Sequence, residues 1–189
     1  MNLEQVVLYG ACLWGGAEVI SSAWLARRGR QRSSEDRGSL ALIYMALAVG
    51  FGLAIPLRQM KLGRIGLASP IPELTGLALM VLGIALRVWA MKTLGHFFTY
   101  QVKILDDHRL VTAGPFRVLR HPSYTGEFLT LAGIGIGLGS WLSLLLLITP
   151  NLAAFVYRIR IEEKALLAHF GEAYKAYQQR TRRLVPFLY

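Results

Sequence analysis

The chain has 189 residues, of which 54% are hydrophobic and 17% charged, against about 45–50% and about 25% in a typical soluble domain. Its net charge is +10, from 21 Lys and Arg against 11 Asp and Glu. Together these values argue against a soluble globular protein, a disordered chain or a disulfide scaffold. They fit a small all-α integral membrane protein with basic cytoplasmic ends.

Five apolar stretches follow in chain order: Val6–Ala26, Leu40–Leu57, Ile71–Met91, and a long run from Thr125 to Tyr157 that holds two. A hydrocarbon core about 30 Å thick needs roughly 20 apolar residues per helix, so the long run is too long for one span and short for two. Gly139-Ser140-Trp141 lies in its middle and can make a tight reversal. Spans four and five are therefore expected to form a helical hairpin, with the fifth helix continuing beyond the membrane. Residues 1–5 carry no Lys or Arg and five arginines follow the first run, the reverse of a secretory signal peptide. The single cysteine, Cys12, has no internal disulfide partner.

The basic residues fall unequally between the connections. Only Arg58, Lys61 and Arg64 lie between spans two and three, and the other 18 lie on the opposite side. The positive-inside rule then puts the N-terminus outside and the C-terminus in the cytoplasm, which requires an odd number of spans. Five satisfies it. The expected division is a two-span segment over residues 1–70 and a core over 71–189, with a cytoplasmic loop over 92–125 and a C-terminal helix over 151–180. The basic excess sits beside span ends, where anionic headgroups attract it. It needs no nucleic-acid partner, and nothing in the sequence implies an obligate protein partner.

Nearly all candidate chemistry lies in the 92–125 loop and just after span five. The loop includes His96, Gln101 and His108-Arg109-Leu110-Val111, then Gly114-Pro115-Phe116 and Arg120-His121-Pro122-Ser123-Tyr124. His121-Pro122 is placed to start span four. Arg158 and Glu162 are four residues apart and share one helix face. Glu127, near the start of span four, either complements the helix dipole or faces a cavity. Glu18 within span one needs a polar partner, which the sequence does not name.

Other motifs fail. Gly133, Gly135, Gly137 and Gly139 follow no strand and read as a helix-packing surface rather than a dinucleotide loop. The four histidines lack paired zinc-site spacing, so no metal is expected. No serine lies in a nucleophile elbow.

The ordered set His108-Arg109-Leu110-Val111-Thr112, Gly114-Pro115-Phe116 and Arg120-His121-Pro122-Ser123-Tyr124-x-Gly126 resembles the signature of the isoprenylcysteine carboxyl methyltransferase family. Arg158-x-x-x-Glu162-Glu163-x-x-Leu166, Phe170-Gly171-Glu172-x-Tyr174-x-x-Tyr177 and Leu184-Val185-Pro186 resemble its C-terminal half. The resemblance covers roughly residues 75–189; phospholipid N-methyltransferases and bacterial O-methyltransferases for lipophilic phenols and pyrones are similar relatives. It implies S-adenosyl-L-methionine as methyl donor on the cytoplasmic side, with S-adenosyl-L-homocysteine as product. It implies cofactor contacts from Gln101, His108, Arg109, Leu110, Val111, Phe116, His121, Pro122, Ser123, Tyr124 and Glu162. It makes Arg158 a substrate-side residue, and Arg158 and Glu162 the catalytic pair. Phe116 stands where the family usually has tyrosine, which removes one hydroxyl and keeps an aromatic wall.

The residue chemistry is compatible with this. Aromatic rings offer a surface for a sulfonium, Glu162 can accept hydrogen bonds from a ribose or amine, and an Arg fork suits a carboxylate or phenolate. Methyl transfer is an in-line displacement that needs alignment rather than a covalent intermediate. If the acceptor is a phenol or amine, Glu162, Glu163 or His121 is a candidate base. The acceptor is expected to be a lipophilic small molecule or a lipidated group, entering between helices near Arg87 and Trp89 or near Arg158. Two other readings stand beside this one: an NADPH-dependent membrane sterol- or enone-type reductase, with Arg117, Arg120, Arg182 and Arg183 available for a 2′-phosphate, and a non-catalytic membrane scaffold.

Overall fold

The computed structural model describes residues 2–28, 38–60, 62–100, 102 and 107–185. Six α-helices follow one another: α1 (Leu3–Arg28), α2 (Ser39–Gln59), α3 (Ile71–Leu94), α4 (Pro122–Gly137), α5 (Trp141–Phe170) and α6 (Glu172–Arg180). Short 3-10 turns occupy Gly95–Phe97 and Gly114–Arg117. Among the described residues there is no strand, only the isolated bridges Arg64–Ser140 and Leu119–Arg182. The five apolar stretches correspond to α1–α5. Three helical segments, Ser39–Gln59, Ile71–Phe97 and Trp141–Phe170, are long and apolar enough to cross a membrane. Exposed residues such as Leu13, Ile20, Val81 and Leu145 give the bundle an apolar exterior, which water would penalise and lipid would cover.

The long apolar run divides where the reversal was expected. Gly139 takes φ +67°, a left-handed conformation that costs glycine little. Ser140 then caps α5 by accepting a hydrogen bond from the Ser143 amide at 3.3 Å. At 16 residues, α4 is about 24 Å long, shorter than the hydrocarbon core. The helix expected over 151–180 is divided: α5 ends at Phe170, and Gly171, at φ +53°, turns the chain into α6.

Glycines set how closely the helices approach. A Cβ on Gly76 of α3 would lie 2.5 Å from the Gly133 carbonyl and the Gly137 Cα of α4. One on Gly83 would lie 2.5 Å from the Gly126 carbonyl and the Thr130 hydroxyl. The α3–α4 contact is accordingly the most extensive in the molecule. The glycine series in span four is thus a packing surface, except that Gly139 serves the turn. In α5, Pro150 cannot donate to the Leu146 carbonyl. Gly50 of α2 packs against that same carbonyl, where an added Cβ would stand at 3.0 Å. Val7, Trp14, Met80, Leu131, Ile134 and Leu147 form the main apolar core between α1, α3, α4 and α5.

Candidate active site

Helix direction brings the C-terminal end of α3, the start of α4 and the second half of α5 to one end of the bundle. The described part of the chain between α3 and α4 lines a cavity at that end. Pro122 opens α4 as its first residue, which its fixed φ favours, so His121-Pro122 does mark the entry to the fourth helix.

Residues 181–185 run beside this entry. Arg120 N donates to Arg182 O at 2.7 Å, His121 N to Arg183 O at 3.1 Å, and Arg182 N to Val118 O at 2.9 Å. Thr125 Oγ1 donates to Leu184 O at 2.7 Å. Glu163 fastens the same region from α5. Its Oε1 accepts from Arg120 Nε at 2.8 Å, and its Oε2 lies 2.9 Å from Arg183 Nη2. His121 Nε2 lies 3.4 Å from Glu163 Oε1. With both oxygens engaged by guanidinium groups and a side-chain exposure of 7%, Glu163 fastens the chain here. Arg120 and Arg183, two of the arginines assigned to a 2′-phosphate in the reductase reading, are held by this carboxylate.

Above the fastening lies a cavity of about 890 Å³, counted to its open mouth. Its wall includes His108, Arg109, Leu110, Val111, Phe116, His121, Pro122, Ser123, Tyr124, Arg158 and Glu162. Every described residue for which the resemblance implied a cofactor or substrate contact therefore lines this one cavity. Gln101 lies outside the described residues. Phe97, Phe98, Leu166, Tyr174 and Tyr177 complete the lining.

Tyr124 is the centre of this wall. Its hydroxyl donates to Glu162 Oε2 at 2.7 Å and accepts from Arg158 Nε at 2.8 Å. Its ring stacks on His121, with centroids 5.4 Å apart and planes 9° apart. His121 Nδ1 lies 3.7 Å from Glu162 Oε2. Glu162 keeps 31% of its side chain exposed, so it is available to a ligand in a way that Glu163 is not. Arg158 is buried. Its Nη1 donates to Ser39 Oγ at 3.0 Å and its Nη2 to the Tyr100 carbonyl. Its guanidinium thus joins α2, the loop and α4 as well as facing the cavity.

The loop surface is aromatic. His108 lies between Phe97 and Phe170, at ring distances of 5.0 and 5.7 Å. Burial, with the nearby His169 second, lowers the His108 pKa from its usual value and favours the neutral imidazole. His96 bonds Asp107 at 2.9 Å, which holds that exposed carboxyl below its usual range. Burial pushes the Tyr174 and Tyr177 phenols up, so they stay protonated. Tyr177 donates to the Phe116 carbonyl at 2.8 Å.

The unnamed partner of Glu18 is Arg87. Arg87 Nε and Nη2 hold the two Glu18 oxygens at 2.7 and 2.6 Å, and Nη1 donates to Ser123 Oγ at 2.7 Å. Glu127 lies 3.6 Å away on α4. Tyr100 donates to Glu18 at 3.2 Å; burial and that carboxylate push its phenol up to about 12. Arg87 therefore points inward, whereas Trp89 is exposed. A second cavity of about 500 Å³ adjoins the first, with Ile43, Tyr44, Leu47 and Phe155 on its apolar side and Glu18, Arg87 and Glu127 on its polar side. Tyr124, Ser123 and Arg158 belong to both cavities. Sequence reasoning missed Ser39 and Tyr100 as site-building residues, and named Arg87 only as a candidate acceptor entrance. The usable signal was two opposite charges placed at similar depth in different spans. Among the described residues no cluster of metal-ligating side chains occurs.

Among the described residues, fold and site together define an all-helical membrane protein with a cavity at one end of its bundle, lined by the motif residues. Residues 76–168 match the isoprenylcysteine carboxyl methyltransferase (ICMT) family model. Protein-S-isoprenylcysteine O-methyltransferase B of Arabidopsis thaliana is 36% identical over 115 residues, covering 60% of this chain and 58% of that one. Protein-S-isoprenylcysteine O-methyltransferase of Saccharomyces cerevisiae is 36% identical over 132 residues, covering 69% and 55%. The chain thus spans a little over half the length of these curated relatives. The solved structure of the eukaryotic intramembrane Ras methyltransferase ICMT, without a monobody, superposes with a TM-score of 0.58 at 30% identity, covering 77% of this chain and 52% of that one. With this neighbour and three apolar helices of spanning length, the chain is an integral membrane protein.

Proposed function

We propose that the protein transfers a methyl group from S-adenosyl-L-methionine to an oxygen of a lipophilic acceptor at the cytoplasmic membrane face. The acceptor is the carboxylate of a prenylated cysteine or a similar lipid-like carboxylate, phenol or pyrone oxygen. The observation that carries this reading is one cavity wall joining His108–Val111, His121–Tyr124, Arg158 and Glu162. The wall's donor set fits the methyl donor. Glu162 is a partly open carboxylate for ribose or amine, Phe116 and Tyr124 are aromatic faces toward a sulfonium, and a neutral His108 avoids opposing that positive charge.

When bound, S-adenosylmethionine supplies a methyl group activated by its sulfonium. The chain's own residues then orient and enclose. Glu162 holds the donor, with Tyr124 hydrogen-bonded to the carboxylate so that it keeps one direction. Arg158 faces both cavities and meets the acceptor oxygen where they join. Phe97, Phe98 and Phe116 exclude water from the junction. The apolar side of the second cavity, formed by Ile43, Leu47 and Phe155, receives the acceptor's hydrocarbon. Alignment of this kind lowers a barrier by about 7–11 kcal/mol.

The same reading places α1–α5 as five spans with the N-terminus outside and the cavity in the cytoplasm, following the distribution of basic residues. Residues 1–70 form a two-span segment that closes the second cavity, and 71–189 form the transferase core. Gln101 is proposed as a further donor contact. The test is incubation of the purified protein with isotopically labelled S-adenosylmethionine, a farnesylated cysteine and a lipid extract, followed by mass analysis. Label on the cysteine carboxylate or on another lipophilic oxygen is expected; label on no acceptor overturns the reading.

A further inference from the structure

At the opposite end of the bundle lies a third cavity, of about 1460 Å³ counted to its open mouth. It is outside the family-matching residues apart from its contact with the α4–α5 turn. Its rim is held rigidly. Ile65 N donates to Gly139 O and Trp141 N to Gly63 O, both at 2.8 Å, and Ser140 Oγ donates to Leu62 O at 3.0 Å. The segment between α2 and α3 is therefore fastened to the α4–α5 turn and preforms the cavity.

The cavity carries both signs of charge. Arg58 and Glu4 satisfy one another at 2.6 Å, and Arg58 Nε also donates to Leu138 O at 2.9 Å. Among the described residues the other two charges are Arg64, exposed at the rim, and Glu73. The Glu73 side chain belongs to a residue only 7% exposed, lines the cavity, and has an Oε2 with no hydrogen-bond partner. A buried carboxylate oxygen without a partner is costly, because it has lost its water without gaining a hydrogen bond, and a ligand N–H group relieves that cost. The position in the first turn of α3 favours the negative charge but gives Oε2 no partner. The cavity opens where α2 and α3, two membrane-length helices, end, and Leu67, Ile71 and Leu74 beside it are exposed and apolar.

We infer that this cavity binds the headgroup of an aminophospholipid such as phosphatidylethanolamine. The primary ammonium donates to Glu73, the phosphate meets Arg64, and the acyl chains run along Leu67, Ile71 and Leu74. Phosphatidylcholine presents the same phosphate but no N–H donor, and phosphatidylglycerol has no cation. Recognition therefore discriminates on the amine.

Native mass spectrometry of the full chain in detergent, titrated with these three lipids of identical acyl composition, tests the assignment. Phosphatidylethanolamine is expected to bind about tenfold more tightly than phosphatidylcholine, in line with a charge-assisted hydrogen bond. Glu73→Gln should remove that preference, and Arg64→Ala should weaken both lipids. Thermal melting of each variant, kept near that of the parent, separates loss of the site from loss of the fold. Equal binding of the two lipids, or a preference that survives Glu73→Gln in a folded variant, overturns the inference. Competition by soluble glycerophosphoethanolamine at similar concentration would also overturn it, because the occupant would then be a free headgroup rather than a lipid.

Discussion

Tyr124 couples the two charges from which the site is built, donating to Glu162 and accepting from Arg158. The three residues should separate by function when substituted. Glu162→Gln is expected to weaken S-adenosylhomocysteine binding by about 10-fold or more, the value of one charge-assisted hydrogen bond, measured by calorimetric titration. Arg158→Lys keeps the charge but not the planar fork. It should leave that binding within about threefold, as one lost neutral-strength contact allows, while turnover falls. Equal loss of both quantities would place Arg158 at the donor. His108 gives a pH prediction. Its folded-state pKa lies below the usual value, so its contribution to stability is full above about pH 6.5 and is lost as pH falls through the lowered value. The melting temperature should drop on acidification over that window, and His108→Gln should flatten the drop. Most of the cavity wall was legible in the sequence because short motifs at the start of α4 and on one face of α5 carry it. The pairing of Arg87 with Glu18 and the contact of Ser39 with Arg158 were not legible. Their roles arise from α1–α3 and α2–α5 contacts that no local spacing encodes.

Between elements, close packing and buried charge decide the geometry. A Cβ on Gly83 would lie 2.5 Å from the Gly126 carbonyl and the Thr130 hydroxyl, so Gly83→Val forces backbone apart. It should destabilise the protein by about 3 kcal/mol, the upper part of the usual overpacking cost, read as a fall in melting temperature in detergent. A Gly52→Val control, at a position with nothing within 4 Å, should change little. The Glu18–Arg87 pair attaches α1 to the core, and Glu18→Ala strands a buried guanidinium. The expected cost is about 3 kcal/mol, at the low end for a broken buried pair, because Glu127, 3.6 Å from Arg87, inherits part of the interaction. The apolar runs and the glycine turn made five helices readable in advance. The break at Gly171 was not, since a polar continuation of α5 reads the same with or without a turn until its left-handed φ is seen.

At the scale of the molecule, most described basic residues lie toward the end that carries the first cavity, and the Glu73 cavity, with Arg58 and Arg64, occupies the other. The charge excess that first suggested a membrane protein thus also marks the face on which the proposed chemistry occurs. In a Cys12→Ser background, a cysteine at Asn2 should react with a membrane-impermeant thiol reagent on intact cells, and one at Glu172 only after permeabilisation. The reverse pattern would invert the proposed topology. The account's central claim is that the His108–Glu162 wall holds S-adenosylmethionine and its product. The most direct measurement is thermal unfolding of the detergent-purified chain with and without S-adenosylhomocysteine. At 100 times its dissociation constant the ligand should add about 2.7 kcal/mol of stability, with a higher concentration needed in Glu162→Gln. No stabilisation of the parent protein at any concentration, or equal stabilisation of parent and variant throughout, would contradict it.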